Sequence, residues 1–323
     1  MDVIPYLSTS HTQQVAVLRC PKKFEYHYVR NIRPQRDDDR FLLGRAVHLF
    51  LEMYYGALAD GKVHSDAFSS AFQSFDQYTK ENFPKDDEAF AQAELAEKIV
   101  RHYYKWAKVN DNFKVLGTEI PFEIQVANSK WVGKFDGVVE VGGKYWILEH
   151  KTAKQLSTLH VLLDRQISIY VLAARKLDIP VEGVIYNVVK KAVPEKPKVL
   201  KSGKLSKSLT TNITYDSYLE AIHELGHDPA MYEDVLEKLK PLGNPFIKRE
   251  FVPRTVEASR ETLKDIQQTE AMKYLMIQHE LFPRNPTKDC SWDCPFYDLC
   301  LAELEGNDTS VLFREKYTIN EGV

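Results

Sequence analysis

The chain has 323 residues, 44% of them apolar and 28% charged, with 14 glycines and 15 prolines; this excludes a disordered, collagenous or disulfide-stapled miniature fold and suffices for about two domains, or one large domain with insertions. Lysine and arginine number 43 against 46 aspartate and glutamate, a net charge of −3, so no global basic bias marks a nucleic-acid binder, and an anion must be held by a local patch or a metal. The four cysteines (Cys20, then Cys290, Cys294 and Cys300) are spaced unlike a secreted disulfide framework; with no signal-peptide pattern and no apolar run of membrane length, a reducing bacterial or phage-infected cytoplasm is the expected compartment.

Residues 8–29 open on Ser and Thr caps and continue in helical spacing, which predicts a helix. A charged loop covers 33–40. Residues 41–59 form a strongly amphipathic helix, with Leu42, Ala46, Leu49 and Met53 in register. Residues 64–109 read as helical throughout, with Phe68, Phe72, Phe75, Leu95, Ile99 and Tyr103 periodic. From Val115 the period changes to two. Residues 117–127, 130–143 and 144–152 read as three antiparallel strands, with Asn128-Ser129 and Gly142-Gly143 at the turns. A helix (164–177) and a strand (183–191) follow, giving an α/β unit. Residues 190–208 carry seven lysines and one glutamate without apolar periodicity, as a surface loop does. Residues 215–274 are mostly helical around a strand-like 246–254. Four segments result: 1–40 with the first cysteine; a core at 41–190 with a helical insertion at 60–110; a lysine-rich loop and helical insertion at 191–280; and the cysteine-bearing tail at 281–323.

The candidate chemistry lies on the meander. Asp136 shares a strand face with Lys134 and Val138, and Glu149 and Lys151, two apart, point to one side of the next strand. Neighbouring strands about 4.8 Å apart let Asp136 and Glu149 converge. Two adjacent carboxylates repel unless a cation sits between them, and hard oxygen ligands suit Mg²⁺ or Mn²⁺. Lys151 beside them could orient a water or stabilise a phosphate, a set fitted to metal-assisted phosphodiester hydrolysis. A solvated strand face would carry the same residue types. Upstream, Gly44-Arg45-Ala46-Val47-His48 places His48 beside the apolar stripe, where a hydrogen-bonded core histidine is the alternative. Downstream, Gln166 and Tyr170 lie one helical turn apart.

In this order, GRAVH, GKFDG, EHK and QISIY resemble the PD-(D/E)XK nuclease superfamily, in the branch of RecB-type nuclease domains and Cas4 exonucleases. The motifs span 44–170, although Phe135 stands where the Pro of the Pro-Asp pair would be. The resemblance implies a restriction-endonuclease-like α/β core, a central mixed sheet flanked by helices. It implies His48, Asp136 and Glu149 as divalent-metal ligands, Lys151 as the catalytic lysine, and Gln166 and Tyr170 as groups that position the DNA strand or the site.

One remote cysteine plus three together is an arrangement that four-cysteine iron–sulfur sites use; zinc in a Cys₄ site stays open, though zinc modules usually pair their ligands. The run Cys20-Pro21-Lys22-Lys23-Phe24 and the tail CPFYDLC again resemble Cas4-type iron–sulfur nucleases. That resemblance implies a [4Fe–4S] cluster on Cys20, Cys290, Cys294 and Cys300 stapling the chain ends around the core. The spacing of Cys290 and Cys294 is one residue longer than the common one.

Residues 223–227 are a literal HExxH, the zinc metalloprotease pattern. Gly226 and Pro229 argue that the helix stops there instead. Lys190, Lys191, Lys196, Lys198, Lys201 and Lys204 are the candidate phosphate contacts. The expected function is a Mg²⁺- or Mn²⁺-dependent DNA exonuclease acting on single strands or duplex ends. The insertion at 190–275 is similar to phage-encoded members, pointing to recombination or repair with a possible partner protein. A non-catalytic DNA-end-binding subunit on a nuclease fold is the alternative from another class.

Overall fold

The computed structural model describes residues 8–35, 39–84, 86–126 and 129–320. Proline decides where the N-terminal helices break. The single helix expected over 8–29 is three pieces: α1 (His11–Arg19), α2 (Pro21–Phe24) and a π-helical turn (Glu25–Val29). Pro21 pushes Cys20 out of the helical region, to φ −160°, ψ 105°, so this cysteine becomes a corner. After α3 (Leu42–Ala59), the continuous helix expected at 64–109 is likewise two, α4 (His64–Asn82) and α5 (Asp87–Asn110), parted around Pro84. Part of the charged loop expected at 33–40 is strand: β1 (Ile32–Pro34) pairs antiparallel with β7 (Tyr317–Ile319). Residues 36–38 of that loop lie outside the described residues.

The meander forms as expected from β2 (Lys114–Val126), β3 (Ser129–Val141) and β4 (Lys144–Ala153). Gly142 and Gly143, at φ +57° and +79°, make the tight turn that the strand twist favours; Asn128, expected at the other turn, lies outside the described residues. From β4 the chain crosses through α6 (Arg165–Lys176) into β5 (Val181–Lys190), parallel to β4. The strand expected at 246–254 is β6 (Ile247–Pro253), antiparallel to β5. The sheet order is β2-β3-β4-β5-β6, a mixed sheet. One face is covered by α3, α4 and α5, through Phe50, Tyr55, Ile99 and Tyr103 over Val139, Leu148 and Ile185. The other is covered by α6 and α9 (Val256–Gln278), through Ile167, Val171 and Ile266 over Phe135, Ile147 and Val184. The α/β class and central mixed sheet expected from the sequence are therefore the observed ones.

The lysine-rich segment is more ordered than a plain loop. Val199 bridges Leu205, and the buried Leu205 donates its N–H to Tyr232 Oη at 3.0 Å. Leu205 thereby joins a small separate core with α7 (Tyr215–Glu224) and α8 (Glu233–Leu239). The tail carries α10 (Cys290–Asp293), α11 (Tyr297–Glu305) and α12 (Ser310–Lys316) before β7. Tyr26, Ile32, Phe296, Leu299 and Tyr317 bury against one another, so the two chain ends share a core of their own. Among the described residues, no helix is long and apolar enough to cross a membrane.

One buried ion pair ties the helical layer to the edge strand β6. Arg249 of β6 meets Asp111, the C-cap of α5, at 2.6 Å, with the side chains 10% and 3% exposed. Its other donors reach Tyr55 Oη (2.8 Å), Tyr103 Oη (3.0 Å) and Asn187 Oδ1 (3.1 Å). Removing one member leaves the other charge buried and unpaired, which costs about 3–5 kcal/mol. Arg249→Met is expected to lower the unfolding free energy by about that amount, read from the midpoint of urea denaturation followed by circular dichroism.

Candidate active site

The site is assembled where α3, β3, β4 and α6 meet. Gly44 begins the geometry. A Cβ there would lie 3.0 Å from Thr152 Oγ1, so glycine lets α3 lie close against β4. One turn later His48 reaches across, and its Nε2 lies 3.0 Å from Asp136 Oδ2. Asp136 also accepts the backbone N–H of His150 on that same oxygen at 2.8 Å. Burial pushes Asp136 up, but the His48 hydrogen bond and charge outweigh it and hold the carboxyl at about 2. His48 is pushed down by burial and raised overall by Asp136. The pairing therefore favours the charged form of His48, whereas an imidazole that ligates a metal is neutral.

Extending the β3–β4 ladder by one step from Gly137 and Leu148 brings Asp136 opposite Glu149. Glu149 is 2% exposed. Its Oε1 receives Lys151 Nζ at 2.5 Å and Gln166 Nε2 at 3.1 Å. Its Oε2 is buried and has no partner. Burial drives the Glu149 carboxyl up to about 7, with Lys151 opposing and Asp136 adding to the rise. Lys151 is held down by burial but raised overall by Glu149. Asp164 caps α6 by accepting the N–H of Gln166 at 2.8 Å, which aims that side chain at Glu149. Gln166 Nε2 also donates to Tyr170 Oη at 2.8 Å. Tyr170 packs edge-on against Phe122 and Phe135, and burial raises its pKa. The structure thus brings together His48, Asp136, Glu149, Lys151, Gln166 and Tyr170.

Sequence reasoning passed over two contributors. Glu119 of β2 stands across from Asp136, between the paired positions Thr118–Gly137 and Ile120–Phe135. Ligand atoms of His48, Glu119 and Asp136 lie within 4.8 Å of one another. His150 is the second: burial lowers its imidazole to about 3, and Asn187 Nδ2 lies 2.8 Å from its Nδ1. Asn187 in turn is bound by Arg249, so the buried ion pair supports the strand that carries the site.

The cysteines lie elsewhere in the chain's fold. Cys20, Cys290, Cys294 and Cys300 all line one cavity of about 200 Å³ with Lys23, Arg284 and Phe296. Among the described residues, no three of their sulfurs come within 4.8 Å of one another. The six candidate lysines have different surroundings. Lys191 approaches Gly44 and Thr152 at the base of α3, Lys190 lies over the Phe246 ring, and Lys196 pairs with Glu224. Lys198, Lys201 and Lys204 belong to the hairpin. The HExxH segment does not stay helical: α7 ends at Glu224, Gly226 has φ +64°, and His227 turns to Tyr232 Oη at 2.9 Å. Its two histidines are not on one continuous helix, as the metalloprotease pattern requires.

Comparison with known proteins agrees with this geometry. A structure described as a "putative exonuclease" from Eubacterium rectale is 11% identical, with 88% of this chain and 92% of that one covered and a TM-score of 0.39. A protein from Vibrio cholerae is 12% identical over 68% of this chain and 60% of that one, with a TM-score of 0.20. Likenesses this remote add nothing to the assignment. No curated protein matches the chain. The family model of the PD-(D/E)XK nuclease superfamily matches residues 8–301, and the chain belongs to that superfamily.

Proposed function

We propose that this nuclease is a Mg²⁺- or Mn²⁺-dependent DNA exonuclease of the RecB/Cas4-like type, acting on single strands or duplex ends in phage recombination or repair. The observation that carries the reading is the Glu149 carboxylate, buried at 2% exposure with one oxygen unpartnered, beside Asp136 and Lys151. Burying an unsatisfied carboxylate oxygen is costly, and a hard cation is the ligand that offsets the cost. His48, Asp136 and Glu149 would hold it, an imidazole and two carboxylates being a donor set that suits Mn²⁺ or Mg²⁺. When bound, the cation polarises the scissile phosphate and lowers the pKa of a bound water.

The chain's own groups do the rest. Lys151, kept charged by Glu149, orients the attacking water or the phosphate oxygen. Gln166 fixes the Glu149 rotamer through Oε1 and leaves Oε2 free to bind. Tyr170 seats the Gln166 amide. Lys191, near the start of α3, and Lys198, Lys201 and Lys204 around the Val199–Leu205 bridge are proposed contacts to the DNA backbone, with Lys190 set against Phe246 and Lys196 in a surface ion pair with Glu224.

We also propose a [4Fe–4S] cluster at Cys20, Cys290, Cys294 and Cys300. Four thiolates on one tetrahedral zinc, with Zn–S about 2.3 Å, would stand about 3.8 Å apart. Four cysteines that line one cavity, one from the start of the chain and three from its end, support a shared inorganic group.

Asp136→Asn and Lys151→Ala are each expected to slow degradation of end-labelled DNA on the order of 10²-fold or more, with circular dichroism confirming that each variant is folded. Equal rates would overturn the nuclease reading in favour of a non-catalytic DNA-binding role.

Glu149 also predicts a pH dependence. In the folded chain it stays neutral up to about 7, whereas unfolded it ionises near ~4.3. A raised carboxyl contributes stability that is full below the unfolded value and lost as pH rises through the folded one. Glu149→Gln cannot ionise, so metal-free Glu149→Gln should melt above wild type at pH 8, with the difference vanishing near pH 4.

Protein purified without oxygen should absorb near ~400 nm, where zinc is silent. Cys294→Ser should lose that band, and colourless wild-type protein would speak for zinc.

A further inference from the structure

We propose that Glu119 is an additional ligand of the divalent cation, and that Lys134 is the resident counter-charge it gives up when the cation binds. The inference rests on the reading of His48, Asp136 and Glu149 as a cation site and extends it to residues outside the four sequence motifs.

Glu119 is held in place against its own backbone preference. Its φ is +51°, in the left-handed region that residues with a Cβ rarely adopt. Just before it, the β2–β3 register slips between Val115 and Gly117. Such a bulge re-aims the side chains that follow and is a recurrent device beside active sites. The result is a carboxylate directly across the ladder from Asp136, its ligand oxygen within 4.8 Å of both the His48 and Asp136 ligand atoms.

The two Glu119 oxygens differ in a way that points to a ligand. Oε2 is ion-paired with Lys134, two residues before Asp136 on β3. Oε1 is buried and has no partner. The 2%-exposed Glu149 of the neighbouring strand likewise has a buried, unpartnered oxygen. Glu119 and Glu149 thus each carry one buried, orphaned oxygen. Ligand atoms of His48, Glu119 and Asp136 converge within 4.8 Å of one another, and a group that satisfies those three side chains at once must be small, positive and oxygen-seeking, which is the chemistry of Mg²⁺ or Mn²⁺. Without it, Asp136 and Glu119 are like charges side by side, and Lys134 relieves their repulsion. The Lys134 side chain is 54% exposed, so its ammonium can swing to solvent when a divalent ion takes over that task.

The strain has a functional consequence. Glycine occupies φ +51° freely, so Glu119→Gly removes both the strain and the proposed ligand. Stability and metal binding should then move in opposite directions, which a structural role for Glu119 would not produce.

The test is direct binding of Mn²⁺ to the full chain, followed by electron paramagnetic resonance of the free ion, with thermal melts in parallel. Glu119→Gln should weaken Mn²⁺ binding on the order of tenfold or more, since even indirect partners of metal ligands carry 10–100-fold effects. Lys134→Gln should tighten it several-fold, while Lys130→Gln, on the same strand and paired with Glu123, should leave it as in wild type. Glu119→Gly should raise the metal-free melting temperature and shrink the rise that Mn²⁺ produces in wild type. If Glu119→Gln binds Mn²⁺ like wild type while Asp136→Asn has lost binding, the inference about Glu119 is overturned and the nuclease reading stands. If Asp136→Asn also binds like wild type, the cation site itself is overturned, and Glu119 with it.

Discussion

Three elements meet on one oxygen atom. Asp136 Oδ2 takes the His48 ring nitrogen from α3 and the His150 N–H from β4, while its own backbone belongs to β3. Nothing else in the site could sit where it does without that junction. It fixes the distance between α3 and the meander, and it sets the register that brings Glu149 opposite Asp136. It also explains why a glycine stands at position 44: the helix must come within contact of Thr152 before His48 can reach. The charge on Asp136 is what makes the junction hold. A neutral acid there would keep one hydrogen bond but lose the attraction to His48 that overcomes its burial.

The fold pays for this with poorly satisfied charge. Glu149 is buried behind Asp136 and resists ionising, and Glu119 is strained. Such features persist only where the surroundings over-determine them. Here the support comes from behind the sheet. Arg249 and Asp111 form a second buried ion pair, and through Asn187 that pair reaches His150, the residue between Glu149 and Lys151. In one buried charge pair the Arg249 guanidinium donates to Tyr55, Tyr103 and Asn187 besides meeting Asp111, and this supplies rigidity. The other is left with open oxygens and supplies binding capacity.

Much of this was legible in the amino-acid sequence, for a physical reason. A helix repeats every 3.6 residues and a strand every two, so GRAVH, GKFDG, EHK and QISIY each specify which side chains share a face. Their order along the chain then specifies which faces meet. The misses have equally physical causes. The continuous helix expected at 64–109 breaks at Pro84 because apolar periodicity survives the break and hides it. The short β1–β7 pair was invisible because three-residue strands carry no period, and its partner lies nearly three hundred residues away. Glu119 could not be found by alternation, since a bulge shifts the phase of β2 and a left-handed residue redirects the chain just there. Its only local signal was Gly117, one glycine in a strand, and that is compatible with a bulge without identifying one.

The closure of the chain ends follows from the same topology. Residues 44–170 hold the whole constellation, so the segments before and after it contribute no ligand to the junction on Asp136. They must nevertheless be held, because α1 packs beside α6 and α9 on the face that carries Gln166. The apolar cluster of Tyr26, Ile32, Phe296, Leu299 and Tyr317 does part of this, with Glu303 accepting from Tyr26 and pairing with Arg30. Cys20 sits at the corner that Pro21 enforces between α1 and α2, and the other three cysteines flank Phe296 from the far end. A crosslink among those four sulfurs would close a loop of about 270–280 residues around the core. The entropy of closing a loop grows only with the logarithm of its length, so one such closure stabilises little more than a short one would. Its value is positional: it fixes α1, and with it the packing behind Gln166, without placing any further charge in the site.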